Sequence, residues 1–479
     1  MQHVLAIDQG TSGTKAIVVD ETGRVVSISE IGLRPVYSAG GAVEQDPDAL
    51  FDSVVAAGRQ ALSRAGVPVD AVAVANQGET VLAWNRDTGE PLSPAIVWQD
   101  RRAESICASL SASADAIGQR TGLVLDPYFS APKMAWIRAN LTTAGVVTTT
   151  DTWLVHRLCG AFVTDASTAS RSLLTSLDTT RWEAELIDLF GLTGEALPEI
   201  VDSDQIVGRT DVFGSIIPVT GLIVDQQAAL LAESCLEPGA AKCTFGTGAF
   251  LLAQLGDNPA RSTSGLTTSV AWRLRERASY CVDGQVYTAA SAVRWAVDLG
   301  LLAAPDQIDS TAADSSDGVF CVPALAGLAA PWWDSAATAS FTGMTLSSGR
   351  GQLVRALMEG IAAQVAALAD LVTADLGRPL TRLRVDGGLT RSAVLMQAQA
   401  DLSRIPVDVY PSLHATALGA AACARLALDP DIGLPDAVGP WTPQHTYEPR
   451  WPADRAAEYL ARWRRAAESA LAERETTST

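Results

Sequence analysis

Residues 4–20 read VLAIDQGTSGTKAIVVD. Residues 4–7 are a short apolar run of the kind that makes a buried strand. Asp8-Gln9-Gly10-Thr11-Ser12-Gly13-Thr14 is turn chemistry, and residues 16–20 are the returning strand. A second turn, Glu21-Thr22-Gly23-Arg24, leads into a third strand, VVSIS. The same grammar returns at residues 240–256, AAKCTFGTGAFLLAQLG, where a Gly-Thr turn again joins two apolar strands. Two such hairpins predict two similar α/β halves facing one another. Glu237-Pro238-Gly239 is the natural crossing point, and a hinge is expected at 232–240.

Outward from the first hairpin, residues 47–65 carry a helical pattern capped by Asp46 and apolar at Leu50, Val54, Val55 and Leu62. VDAVAVANQ reads as strand into loop. VLAWN–RDTGE–PLSPAIVW reads as a hairpin with Asp87-Thr88-Gly89 at its turn. Residues 151–200 alternate helix and loop, with Asp151 expected to cap TWLVHRLCG. In the second half, long helices are expected at 351–375 and 391–402, with the strand LRVDGG between them and a Pro-rich loop at 429–452. A last helix, 452–473, sets Tyr459, Trp463 and Leu471 near one face, as a docked surface helix would.

The chain has 479 residues, of which 48% are hydrophobic and 19% charged. That is material for packed cores in two to four domains of about 100–200 residues each. Thirty-five Lys and Arg stand against 54 Asp and Glu, a net charge of −19. Nucleic-acid binding and attraction to anionic membranes both need clustered positive charge, so the expected partner is a small molecule. Seven Cys are scattered without a CxxC, and the four His form no ligand pair, which argues against zinc and disulfides and for a reducing compartment. MQHVLAIDQG reaches Asp8 after a few apolar residues, unlike a secretory leader, and a cytoplasmic location is expected.

GxxxxGK[ST], GxGxxG and GxSxG do not occur. What remains is Gly-, Ser- and Thr-rich turns, whose N–H and hydroxyl groups can converge on phosphate oxygens. One such turn is ordinarily just a hairpin. Here Gly10–Thr14 and Gly246-Thr247-Gly248 lie on opposed halves, and Lys15, one of only three lysines, follows the first. Asp8 enters that turn, either as a turn cap or as a carboxylate holding Mg²⁺ through water. Asp225 interrupts the apolar runs VTGLIV and AALLAE, either as a helix cap or as a base that accepts a hydroxyl proton.

Ten stretches in order resemble the FGGY carbohydrate kinases, and within them the glycerol kinase branch. They are AIDQGTSGTKAIVVD, ANQGETVLAWNRDTGEPLSPAIVWQDRR, DPYFSAPKMAWI, DTWLVHRLCG, VTDASTASR, VDQQAAL, FGTGAF, VPALAGLAAPWWD, RVDGG and TALGAA. The resemblance implies an actin-like (hexokinase-type) fold of two RNase H-like α/β domains, residues 1–235 and 236–479, around an ATP and substrate cleft. It implies Asp225 as general base with Gln226 beside it. It also implies Glu79, Tyr128 and Asp225 on substrate hydroxyls, Trp98 on the carbon chain and Asp8 on the Mg²⁺ side. Thr11, Ser12 and Lys15 match the first phosphate loop, Gly246 and Thr247 the second, and Gly388 the nucleotide side. Family members commonly form dimers or tetramers.

Four departures stand out. Gly78 replaces the Arg of NQRET, removing a fork of donors at a loss of about 1–3 kcal/mol for an unpartnered buried polar group. It also leaves space, so a four- or five-carbon polyol or ketose competes with glycerol unless a neighbour supplies the donor. On the nucleotide side, Ala290, Arg294 and Ser392 replace a Gly, a Gln and an Asn. The expected function is ATP-dependent phosphorylation of a terminal hydroxyl on a small polyol or sugar. A non-catalytic sugar sensor would show a damaged Asp8 or Asp225, and an actin-like ATPase would not need Glu79, Tyr128 and Trp98.

Overall fold

The computed structural model describes residues 2–472. Val4–Gly10 pairs antiparallel with Gly13–Val19, which pairs antiparallel with Val25–Gly32. On its other side Val4–Gly10 is parallel to Ala71–Asn76, and that strand is parallel to Ile217–Val224. The second sheet repeats the plan. Ala241–Phe245 is antiparallel to Ala249–Gly256, and Ala249–Gly256 to Arg277–Val286. Leu383–Asp386 and Val407–Val409 add in parallel on the other side. Each half is thus an antiparallel meander extended by two parallel strands, the duplication read from the two Gly-Thr hairpins. The chain passes between them at 233–240, after the helix Asp225–Ala232.

Strand alternation divides the first sheet between two cores. Leu5, Ile7, Ala16, Val18, Val72 and Val74 pack with Leu50 and Val54 of the helix Pro47–Ala65. Val4, Ala6, Ile17, Ala71, Ala73 and Ala75 pack on the opposite side with Ala417, Ala420 and Ala424 of Ala415–Leu428. With both faces covered, the parallel strands read as continuous apolar runs. Helix Ala415–Leu428 belongs to the second half of the sequence but lies on the first sheet, and it crosses Asp225–Ala232. The small face on each side allows close approach. A Cβ on Gly419 would lie 1.9 Å from the Ala228 carbonyl oxygen, so only glycine fits there.

The helix Pro47–Ala65 begins where expected, with the Asp46 carboxylate accepting from the Asp48 N–H. The hairpin of residues 81–96 forms, Val81 opposite Ile96. Helix Arg350–Leu376 is long and apolar enough to cross a membrane, but 83% of its most apolar window is buried in the second core. The last helix, Ala453–Ala472, docks through Trp463, whose indole N–H donates to the Cys321 carbonyl at 2.9 Å, with Tyr459 and Leu471 packed on the same core. Its expected end at Glu473 lies outside the described residues. Three expectations need correction. Residues 151–200 hold strands as well as helix and loop, Val163–Asp165 pairing parallel with Glu199–Val201 and Thr175–Ser176 antiparallel with Arg181–Trp182. The helix carrying DTWLVHRLCG starts at Thr150, so Thr149 holds the cap position, and the Asp151 carboxylate accepts instead from Thr164 Oγ1 at 2.6 Å. Residues 429–452 are not all loop. They include the helix Leu434–Val438 and the strand His445–Tyr447, which extends the second sheet.

Candidate active site

Strand Ile217–Val224 ends where Asp225 opens the next helix, so the change from strand to helix delivers this carboxylate to the cleft between the sheets. Its Oδ1 accepts from the Gln226 N–H at 2.7 Å. Burial, then the negative charges of Asp8 and Glu79, push its pKa up to about 7, against the pull of Lys242. Asp8 stands across the first strand pair from Lys15. Burial raises it to about 6, with Lys15 lowering it and Asp386 and Glu30 raising it. Asp386 ends the strand Leu383–Asp386 of the second sheet. Burial raises its pKa too, Lys242 and a hydrogen bond from Thr244 work against that, and its Oδ1 has no hydrogen-bond partner among the described residues. Asp8, Asp225 and Asp386 therefore bring negative charge to one place from both halves. Among the described residues no group of three or more His, Cys, Asp or Glu is close enough to bind an ion directly. These separated carboxylates fit a Mg²⁺ ion that keeps its water shell.

A cavity of about 150 Å³ opens beside Asp225 and is lined by Gly78, Glu79, Trp98, Tyr128, Gln226 and Phe250 among others. The aromatic rings form one wall: Trp98 meets Tyr128 and Phe250 edge-on at 5.5 and 5.8 Å between centroids. The Trp98 indole N–H donates to Thr11 Oγ1 at 2.9 Å, tying that wall to the first Gly-Thr turn. The buried Lys133 ammonium donates to the carbonyls of Pro127, Tyr128 and Phe129 and fixes the segment carrying Tyr128. Glu79 is buried with φ +58°, a left-handed conformation that is strained for this residue. Burial raises its pKa and the Arg171 guanidinium, paired with it, works to lower it. Gln226 Oε1 accepts from Lys242 Nζ at 2.7 Å, so Gln226 links the base to the second sheet.

Gly78 lines the cavity beside Val224. A Cβ built there would lie 2.9 Å from Val224 Cγ2, so a larger residue at 78 would need Val224 to shift. A guanidinium reaches the cavity from Arg171.

On the nucleotide side, Gly246 and Thr247 line the same cavity as Asp225, and Thr11 and Ser12 face them. Thr11, Ser12 and Thr247 also line a wider cavity of about 770 Å³ with Arg34 and Arg294, both exposed. The Ala290 N–H donates to the Gly246 carbonyl at 3.0 Å and so buttresses the second turn. Lys15 is on the strand rather than in the turn, between Asp8 and Glu30 of the adjoining strands. Gly388 and Ser392 line a third cavity, of about 310 Å³. There the Ser392 hydroxyl donates to Asp309 at 2.6 Å and accepts from the Leu395 N–H, capping the helix Ala393–Ser403. Sequence reasoning missed Arg171, Val224, Lys242, Phe250, Asp283 and Asp386. Arg171, Val224, Lys242, Phe250 and Asp386 lie in quoted stretches, but nothing in their spacing assigns them a role. Asp283 sits in a strand with no such signal.

Family models for the FGGY family of carbohydrate kinases match the chain twice, the N-terminal domain over residues 3–232 and the C-terminal domain over 241–428. The chain is 39% identical over 490 aligned positions to the glycerol kinase of Aromatoleum aromaticum, covering 98% of this chain and 99% of that one. It is 40% identical to the glycerol kinase of Thermus brockianus, at 98% and 99% coverage. Among solved structures, glycerol kinase from Plasmodium falciparum with ADP superposes at a TM-score of 0.89, with 32% identity and 98% of each chain covered. A ligand-bound xylulose kinase from Lactobacillus acidophilus, 21% identical, shares the fold at a TM-score of 0.86, over 100% of this chain and 99% of that one.

Proposed function

From the premise that this chain belongs to the FGGY family of carbohydrate kinases, we propose that it transfers the γ-phosphoryl group of ATP to a terminal hydroxyl of glycerol, with Asp225 as general base. The chain is an ATP-dependent kinase of a small polyol or sugar, and the choice of acceptor and the roles of residues are the proposal. The observation that carries it is the meeting of Asp225, Glu79 and Gln226 with the two Gly-Thr turns around one small cavity.

In this reading Glu79 and Tyr128 orient the acceptor's hydroxyls, and Trp98 and Phe250 cover its carbon chain and exclude water. Asp225 takes the proton of the attacking hydroxyl as the new oxygen–phosphorus bond forms and the bond to ADP breaks. The proton ends on Asp225, the phosphoryl group on the acceptor, and the electron pair of the broken bond on ADP. A base with a pKa near neutrality suits that transfer. The N–H groups of the two turns and the hydroxyls of Thr11, Ser12 and Thr247 would stabilise negative charge on the phosphate oxygens. Asp8 and Asp386 would hold Mg²⁺ through its water shell, and the ion would neutralise charge on the phosphates. Gly388, Ser392, Ala290 and Arg294 would flank the nucleotide.

Glycerol is favoured over a four- or five-carbon acceptor by two observations. Near-full-length identity of about 40% links the chain to glycerol kinases, and Val224 Cγ2 would lie 2.9 Å from a Cβ at Gly78, which limits growth of the pocket on that side. The test is ADP release with ATP and Mg²⁺ against C3 to C6 polyols, ketoses and aldoses. Glycerol is expected to give the highest kcat/KM. A tetritol or pentulose ahead of it by tenfold or more would overturn the choice of acceptor.

A further inference from the structure

The stretch VTDASTASR, residues 163–171, takes no part in the chemistry above, yet its polar side chains hold several separate pieces of the site. The buried Asp165 carboxylate accepts from the N–H groups of Ser167 and Thr168, at 2.7 and 3.2 Å, and rigidifies the turn. Ser167 Oγ accepts from the Val224 N–H at 3.0 Å, fixing the strand end that delivers Asp225. Ser170 Oγ accepts from the Val270 N–H of the second sheet, also at 3.0 Å. Arg171 completes the series. Its Nε donates to Glu79 Oε1, and its Nη1 to Asp283 Oδ2 at 3.1 Å.

Arg171 is buried, and its guanidinium lies 5.4 Å from the centroid of the Phe129 ring and 5.6 Å from that of Tyr128. Glu79 and Asp283 come from different halves of the chain, and both are buried. A planar, permanently charged fork can satisfy two carboxylates at once, which an ammonium does less well. The left-handed backbone of Glu79 is the second observation. Strain of that kind persists only where the surroundings over-determine it, and the ion pair to Arg171 holds that side chain.

We propose that Arg171 is a positioning residue for the acceptor: it aims the Glu79 carboxylate into the pocket and, through Asp283, makes that aim depend on the second half of the chain. The inference rests on the reading of Glu79 as an acceptor ligand. It also gives the absence of Arg at position 78 a physical counterpart, because the cavity's guanidinium arrives with its charge already committed to Glu79.

The experiment is steady-state kinetics of the full chain with ATP, Mg²⁺ and glycerol for Arg171→Gln, Arg171→Lys and Asp283→Asn, with thermal unfolding as the control for folding. Arg171→Gln is expected to raise KM for glycerol by about thirtyfold or more, because a buried carboxylate loses its partner, while KM for ATP stays within about threefold. Arg171→Lys should fall between wild type and Arg171→Gln, since it keeps charge but not the fork. Asp283→Asn leaves the Glu79 pair in place and should raise KM for glycerol by about three- to tenfold. Added guanidinium chloride at millimolar concentration should restore part of the activity of Arg171→Ala. Wild-type KM for glycerol in a folded Arg171→Gln, or a fall in kcat with both KM values unchanged, overturns the proposal. If Arg171→Gln does not fold, a wild-type KM in Arg171→Lys overturns it instead. Wild-type protein inactive with every polyol overturns both this inference and the reading it rests on, whereas active wild type with indifferent Arg171 variants overturns this inference alone.

Discussion

At the acceptor end of the cleft, Glu79 and Asp283 are buried, each paired with the buried Arg171, and Trp98, Tyr128 and Phe250 wall them. At the nucleotide end, Arg34 and Arg294 stand exposed over a cavity several times larger, and the polar lining comes largely from turns and hydroxyls. The two ends therefore work in different media. Charges in the closed end act in a low effective dielectric and have few alternative partners, so each is strongly coupled to its neighbours. Charges at the open end are screened by water and salt. Substitutions at the acceptor end should be severe and specific to the acceptor, and those at the nucleotide end mild and sensitive to salt.

The harshest test of that contrast is Asp225→Asn. Removing a general base costs on the order of 10²–10⁴ in rate, so kcat should fall by that range with KM for glycerol within about fivefold. Steady-state ADP release measures both. A loss below tenfold would mean that another group takes the proton and that the acceptor end is less committed than its geometry suggests.

Gly78→Arg comes next. It forces a side chain into volume held by Val224 Cγ2, and overpacking of this sort costs about 1–3 kcal/mol. With the pocket distorted, kcat/KM for glycerol should drop by about ten- to a hundredfold, an order-of-magnitude conversion of that strain. Pairing it with Val224→Ala should recover much of the loss. Improved glycerol use by the single variant would show that the wall yields and that position 78 alone governs the acceptor.

That prediction also shows where the sequence stops being legible. The duplicated hairpins, the cap at Asp46, the two opposed halves and the carboxylate at 225 are visible because turn chemistry and strand alternation are local signals. Asp225 and Glu79 lie more than a hundred residues apart, yet each is marked by its own flanks, a charge between apolar runs and the NQGET stretch. Val224 carries no such mark. It reads as one more apolar residue ending a strand, and only the fold brings its methyl group against Gly78. Arg171 and Asp283 are hidden for the same reason, because their meaning is a contact between strands and turns that no spacing encodes. The cap lies at Thr149, two residues before Asp151, and local chemistry permits either of these polar candidates.

A smaller effect separates catalysis from stability at the closed end. The folded pKa of Asp225 is about 7, raised from 3.8, so the folded protein keeps this proton to higher pH than the unfolded chain does. Between those values the native state binds more protons, and stability contributed by the protonated form is lost as pH rises from about 4 to about 7. At pH 8 the wild type carries an ionised group whose folded site disfavours the charge, and Asp225→Asn does not. The variant should therefore be more stable than wild type at pH 8, by about 1–2 kcal/mol after allowing for solvent access, and nearly equal to it at pH 4. Thermal unfolding without nucleotide or Mg²⁺ at the two pH values measures this. A variant less stable than wild type at pH 8 would show that the carboxylate is well compensated where it stands.

The mildest expectations belong to the open end, where the contrast is most easily broken. Arg294 is exposed on the helix Ala290–Asp298, and Arg34 lies on the other half at the same cavity. Exposed charges of this kind contribute up to about 1 kcal/mol, so Arg294→Ala should raise KM for ATP by about two- to fivefold at low ionic strength. The Debye length shrinks from about 10 Å at 0.1 M salt to about 3 Å at 1 M, so the difference should fade as salt is added. Ser392→Ala acts differently, since its hydroxyl caps a helix, and should lower stability by about 1 kcal/mol at any salt concentration with little change in KM. A loss of a hundredfold in Arg294→Ala that persisted at high salt would mean that the nucleotide end closes over its ligand as tightly as the acceptor end does. Burial there would then be a consequence of binding rather than of the fold alone.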